Sequence, residues 1–198
     1  MNPFNQIIFL IQDLDRWAYS KKIPIFLCPI VIFFYPVTLS IIVYRLARFV
    51  FLIKFKPLKY LLFPLIFFPK RFIDFLSSNE ISEKANIKGG FYIGHSGCIV
   101  IGGGTVAGYN FSIRQGVTFG GGSSIGKLNH PVVGNNVVIG AGAMVIGALV
   151  IGDNVMIGAN SVVTKDIESN SRAAGIPAKI LNKNGVYGIN VRPFWKSK

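Results

Sequence analysis

The first 88 residues contain no glycine; all 22 glycines of the 198-residue chain lie at Gly89 or later. Phenylalanine and proline show the opposite bias, with 13 of 17 and 7 of 10 before residue 80. The chain therefore reads as two regions of different physics joined near Ser77-Ser78-Asn79, within the size of one or two small domains. Two cysteines exclude a disulfide-stapled scaffold and a four-cysteine zinc module. Two histidines exclude a three-histidine metal site within one chain, and no metal is expected. Acidic residues are scarce, 8 against 21 Lys and Arg, for a net charge of +13. Yet charged residues make up only 15% of a chain that is 51% hydrophobic, which excludes a disordered polycation. The aromatics cluster in apolar runs instead of alternating with the cations, so a nucleic-acid partner is not expected.

The apolar runs define the first region. Ile23 to Tyr44 is uncharged for 22 residues, about the length that spans a bilayer, but Pro24, Pro29 and Pro36 interrupt it. Both flanks are basic: Arg16, Lys21 and Lys22 precede it, and Arg45, Arg48, Lys54, Lys56 and Lys59 follow. A single crossing would be poorly specified by such flanks. A second run, Tyr60 to Pro69, has 10 residues and is too short to cross. The pattern predicts helical elements over 1–79 that dip into or lie on the inner leaflet of a membrane with a basic rim; the alternatives are a true span and buried helices at an oligomer interface. No secretory leader is read, because Asp13 and Asp15 fall in the first 20 residues without a long apolar run.

The second region is periodic. Steps of six run Ile81, Ile87, Ile93, then Ile101 to Ile125, then Val133 to Val163; 13 of these 14 positions are large and apolar. Glycine follows nine of them. A period of six fits neither a 3.6-residue helix nor a hairpin, but it fits a parallel β-solenoid in which each short strand sends one apolar side chain inward and then turns a corner. Glycine and asparagine suit such corners. The period breaks twice, each time by eight residues: Ile93 to Ile101 and Ile125 to Val133. His95 falls in the first break and His130 in the second, each in a small loop ejected from the wall. A neutral imidazole in such a loop is suited to accept a proton near neutral pH.

The repeat resembles the hexapeptide-repeat acyltransferases, whose fold is a left-handed parallel β-helix of three strands per coil, usually assembled as a trimer. Within them the segment His95-Ser96-Gly97-Cys98-Ile99-Val100-Ile101-Gly102 and the pair Glu80-Ile81 resemble the serine O-acetyltransferases and the bacterial polysaccharide O-acetyltransferases similar to them. The resemblance implies acetyl-CoA as donor and His95 as general base, with Glu80 as its carboxylate partner. It also implies that His130, in His130-Pro131, holds the acceptor with Asn129 beside it. Donor contacts are implied at Gly121, Ala141 and Ala159. Ala174-Gly175-Ile176-Pro177-Ala178-Lys179 makes Lys179 the candidate for the CoA phosphates, with Lys165 as a weaker one. A phosphate-loop reading of Gly121 to Lys127 fails because Leu128 replaces the needed Ser or Thr.

The acceptor is where the resemblance divides. Serine acetyltransferases carry an Asp before the first histidine and an Arg before the second, suited to an amino acid's ammonium and carboxylate. Gly94 and Asn129 stand there instead. That difference, with the apolar N-terminal region, leads to the expectation of a cell-surface polysaccharide or its precursor as acceptor, at the cytoplasmic face of the inner membrane. The alternatives are a serine O-acetyltransferase and a non-catalytic membrane-bound trimeric scaffold. The expected organisation is a helical region over 1–79, a β-helix domain over 80–181 and a tail over 182–198.

Overall fold

The computed structural model describes residues 2–23, 35–122 and 130–183. From Asn79 the chain winds as a parallel β-solenoid with three faces. The first face stacks β1 (Asn79–Ile81), β4 (Ile99–Ile101), β7 (Thr118–Gly120), β10 (Met144–Ile146) and β13 (Val162–Val163). The second stacks β2 (Asn86–Ile87), β5 (Val106–Ala107), β8 (Val132–Val133) and β11 (Val150–Ile151). The third stacks β3 (Tyr92–Ile93), β6 (Ser112–Ile113), β9 (Val138–Ile139), β12 (Met156–Ile157) and β14 (Arg172–Ala174). An antiparallel strand, β15 (Lys179–Asn182), covers the last edge by pairing with β14.

Each rung sends two residues inward, not the one that the period of six predicts. In β4, Ile99 and Ile101 are buried while Val100 between them is exposed, as alternating Cβ directions require. The position two before each hexad residue thus forms a second inner column that includes Phe91, Phe111 and Val117, all fully buried. Phe91 and Phe111 stack at 5.7 Å, so neighbouring coils share aromatic contacts along the axis. At one corner Asn110, Asn136, Asn154 and Asn170 hold left-handed φ between 56° and 60°. Their side-chain amides form a ladder with steps of 2.8, 3.0 and 2.9 Å.

The second break is larger than the spacing implies. Phe119 on the first face and Val133 on the second occupy consecutive faces, because Val133 pairs with Ala107 of β5. The step from Phe119 to Val133 is therefore 14 residues, eight more than the six of a regular step. Ile125, counted as a rung, lies outside the described residues. At the other end the period shortens: Ile167, four residues after Val163, bridges Ile151 and continues the second face.

Among the described residues three helices precede the solenoid: α1 (Asn5–Lys21), α2 (Pro36–Leu52) and α3 (Lys56–Ser77). Proline at the start of α2 is favourable, since the first turn needs no backbone donor there. Ser78 ends α3 in a left-handed conformation, its N–H turned back to the last carbonyls. The helices close the open first coil. Val37, Ile41 and Tyr44 join the same hydrophobic cluster as Ile81 and Ile87. The carbonyls and N–H groups of that coil, which have no preceding strand, find side-chain partners instead. The Tyr44 hydroxyl donates to Ala85 O at 2.9 Å and accepts from Ile87 N at 3.3 Å. Arg45 donates to Ile87 O at 2.6 Å and Lys88 O at 2.8 Å, and Arg48 to Glu83 O and Lys84 O at 3.1 Å each. Arg16 donates to Gly90 O and to Ser112 Oγ.

These contacts correct the basic rim expected to face lipid in part: Arg45, Arg48 and Lys70 are buried and Arg16 half-buried against protein, while Lys21, Lys22, Lys54 and Lys56 are exposed. Among the described residues no helix is long and apolar enough to cross a membrane. Residues 24–34, the first half of the uncharged run, lie outside them. The Tyr60 to Pro69 run is the middle of the 22-residue α3.

Asp13 anchors the junction. It accepts from Arg45 Nε at 2.7 Å and from Phe91 N at 2.7 Å, with both ionic side chains at most 1% exposed. Burial pushes its carboxyl up to about 6, against the opposing pull of Arg45. A folded-state pKa above the ordinary 3.8 means that protonation favours the fold. This stabilisation is complete below about pH 4 and is lost as pH rises through about 6. Asp13→Asn is expected to flatten unfolding free energy against pH over that window, as denaturant titrations at several pH values would measure.

Candidate active site

The sequence-predicted residues fall on two corners of the solenoid. His95 lies exposed between β3 and β4, at the corner joining the third face to the first. Ala141 follows β9, Ala159 follows β12, and Lys179 pairs with Ala174 at the end of β14, so all three stack above the same corner. With strands about 4.8 Å apart, Ala141 lies roughly 10 Å and Ala159 roughly 14 Å along the axis from His95, and Lys179, on β15, roughly 24 Å. The column is smooth because glycine builds it. A Cβ at Gly140 would lie 2.5 Å from Ala159 N and 2.7 Å from the Gly158 carbonyl carbon.

The other corner, from the first face to the second, carries Gly121 at the end of β7, Lys165 after β13, and His130 before β8. His130 packs on Gly102 and Gly104, where any Cβ would collide with its ring. Glu80 projects outward from β1 opposite Val100. It lines an open cleft of about 560 Å³ with His130, Lys70, Arg71, Glu83 and Lys84. Among the described residues no hydrogen bond or ion pair joins Glu80 to His95; the carboxylate is grouped with His130. Asn129 lies outside the described residues. Lys183, beside Lys179 in the C-terminal segment, is paired with Glu168 at 2.8 Å. Among the described residues no cluster of three or more His, Cys, Asp and Glu is placed to hold a metal ion.

Two residues that the periodicity does not single out shape the His95 corner. Asn79, almost fully buried, accepts from Gly97 N at 3.0 Å through Oδ1 and points Nδ2 at Ser96 Oγ, 3.5 Å away, and at Ser40 Oγ, 3.3 Å away. Ser40 also donates to Ser77 Oγ at 3.0 Å, so α2, α3 and β1 together fix the loop that holds His95. Nothing in the spacing of Asn79 signals this, because its partners are 17 to 39 residues away. Asn79→Ala is expected to release the loop. Faster hydrogen exchange at the Gly97 amide of the folded variant would measure it.

Arg114 is the other. Gly94, Arg114, Gly140 and Gly158 occupy equivalent places after the third-face strands, and the exposed arginine interrupts that series. A Cβ at Gly94 would lie 3.6 Å from Arg114 Cγ, so the guanidinium stem runs beside the residue preceding His95. That interruption is legible in the sequence.

Comparison with known proteins follows the same lines. A family model described as bacterial transferase hexapeptide (six repeats) matches residues 130–165. The serine acetyltransferase of Helicobacter pylori is 38% identical over 110 residues, 56% of this chain and 64% of that protein. That of Staphylococcus aureus is 45% identical over 113 residues, 57% of this chain and 53% of that protein. The serine acetyltransferase of Synechococcus elongatus is 37% identical over 111 residues, covering 46% of its length. The chain thus spans about half to under two thirds of these curated relatives. Among solved structures, Neisseria gonorrhoeae serine acetyltransferase in complex with serine superposes with a TM-score of 0.73 at 28% identity, covering 89% of this chain and 69% of that one. Brucella abortus serine acetyltransferase in complex with coenzyme A gives 0.74 at 26% identity, covering 90% and 68%.

These findings overturn the polysaccharide acceptor. The superposition over 89% of the chain extends well beyond the solenoid, so the N-terminal helices do not set this protein apart from serine acetyltransferases. The charge missing at Gly94 does not leave the His95 corner neutral either, because Arg114 stands beside Gly94.

Proposed function

We propose that this chain, a hexapeptide-repeat protein with serine acetyltransferase homologues, transfers an acetyl group from acetyl-CoA to the hydroxyl of L-serine. The observation that carries the reading is the single corner column with His95 at one end, Ala141 and Ala159 along it, and Lys179 at the other. A flat wall of small residues suits an extended pantetheine arm, and a cation at its far end suits the nucleotide phosphates. His95 accepts the proton of the serine hydroxyl as that oxygen attacks the thioester carbonyl. Collapse of the tetrahedral intermediate expels the CoA thiolate, to which the imidazolium returns the proton.

The two corners of one chain point apart, so the site is completed by a copy rotated about a threefold axis, in the trimer of left-handed β-helices that the family resemblance implies. Glu80 and His130 then meet His95 from the neighbouring copy, with Gly121 and Lys165 on the opposite wall of the donor groove. Arg114 takes the acceptor carboxylate in place of the arginine absent at Asn129. Loss of one charge-assisted contact is worth roughly 1.5–3 kcal/mol, so Arg114→Ala is expected to raise the serine KM by about 10- to 100-fold and leave that of acetyl-CoA unchanged. The reading is tested by thiol release from acetyl-CoA with L-serine against L-alanine, which lacks the hydroxyl. A saturable increase with serine alone is expected, and an equal rate with both would overturn the acceptor.

A further inference from the structure

We propose that a cavity between α1 and the third face of the solenoid binds a small oxyanion of the phosphate class, and that its occupant competes with the acceptor for Arg114. The binding half stands on the cavity alone; the competition rests on the acetyl-transfer reading. The outward column of the third face runs Tyr92, Ser112, Val138 and Met156 in strand register. Ser112 is the smallest of these and sits between two larger neighbours, so the wall is hollowed there. Helix α1 covers the hollow with Arg16 and Ser20, and Arg114 stands at its side. The cavity holds about 220 Å³, room for a tetrahedral oxyanion and a few waters.

The polar groups left over in this cavity are donors. Arg16 donates to Ser112 Oγ at 2.6 Å, and its Cζ lies 5.5 Å from the centre of the Tyr92 ring. Ser112 accepts that bond, which leaves its own hydrogen to donate. The half-buried Tyr92 hydroxyl and the exposed Arg114 guanidinium have no hydrogen-bond or ion-pair partner among the described residues. Among those residues no carboxylate lines the cavity. Asp13, three positions before Arg16, is committed to Arg45 and to Phe91 N. Asp15 lies outside the lining. Burial pulls Arg16 down from 12.5 to about 10 against the opposing pull of Asp13, as befits a cation held partly out of water. Two guanidinia and two hydroxyls without an acid among them complement a compact ion of two negative charges better than a monocarboxylate.

The place of the cavity sets its effect. Arg114 runs beside Gly94, the residue before His95. Ser112 is two residues back along the chain, roughly 7 Å further from the His95 corner. Serine has only two carbons between its hydroxyl and its carboxylate. With the hydroxyl at His95, its carboxylate therefore meets Arg114 and falls short of Ser112. An ion over Ser112 draws the Arg114 guanidinium toward the third face and away from the acceptor.

The test is titration calorimetry of the full chain with inorganic phosphate, against acetate and chloride at equal ionic strength, followed by serine kinetics at several phosphate concentrations. Phosphate is expected to bind saturably and at least about tenfold more tightly than acetate. Tyr92→Phe removes one hydroxyl and keeps the ring beside Arg16. It is expected to weaken phosphate about tenfold, with circular dichroism and the phosphate-free serine rate unchanged. Phosphate is expected to raise the serine KM severalfold in the wild type and less in Tyr92→Phe. An unchanged acetyl-CoA KM would separate this cavity from the donor phosphates at Lys179. Absence of saturable binding, heats equal to those of chloride, or equal affinity in Tyr92→Phe would overturn the site. Saturable binding that leaves the serine KM unmoved would overturn the competition. Saturable binding without any serine turnover would count against the acetyl-transfer reading and leave the anion site standing.

Discussion

Arg45→Met is expected to lower the unfolding free energy by about 3–5 kcal/mol, the usual cost of removing one partner of a buried ion pair. Three losses coincide at this position. The Asp13 carboxylate, fully buried, loses its only ion-pair partner among the described residues. The carbonyls of Ile87 and Lys88 in the first coil lose their donor, and no earlier strand can replace it. Methionine fills much of the volume but supplies no hydrogen bonds. For a protein of this size the shift corresponds to a fall of roughly 6–20 °C in Tm. The double variant Asp13→Leu, Arg45→Met is expected to recover a large part of the loss, because it removes the stranded charge as well. Thermal melts of both variants would measure this. An Arg45→Met protein as stable as the wild type would mean that the helices rest on the solenoid through apolar contacts alone.

His95→Ala is expected to reduce the serine-dependent maximal rate by about 100- to 10,000-fold, the range typical for loss of a general base. The KM for acetyl-CoA is expected to stay within about twofold, because the donor wall of Ala141 and Ala159 lies two and three coils away. The fold is expected to survive, since His95 is exposed and the loop is pinned through Gly97 and Ser96. A fall in rate with an unchanged donor KM separates proton transfer from binding. His130→Ala, on the other corner, is expected to raise the serine KM, in keeping with a role in holding the acceptor.

The solenoid was legible because its period is enforced rung by rung: Ile87, Ile93 and Ile139 must all be apolar to fill one narrow prism. The two histidine corners were legible for the same reason, as interruptions of a regular count. What escaped the spacing depends on partners distant in the chain. The basic residues Arg45 and Arg48 look alike whether they meet headgroups or the bare carbonyls of a terminal coil, and only the packing of α2 on that coil decides. Ile125 lies outside the described residues, and strand register alone shows that Val133 follows Phe119 on the next face of the prism. The polysaccharide expectation rested on Gly94 and Asn129 together with the apolar N-terminal region, and took no account of Arg114, one coil along the axis, because nearness across coils is invisible to a linear count.

The most direct test of the acetyl-transfer reading is to incubate the full chain with L-serine and acetyl-CoA labelled in the acetyl group, and to follow the label by NMR. The label is expected to appear as an ester on the serine hydroxyl, at a rate that His95→Ala abolishes and Arg114→Ala restores only at raised serine. Labelled acetate without any serine ester, or an ester formed equally fast by His95→Ala, would contradict it.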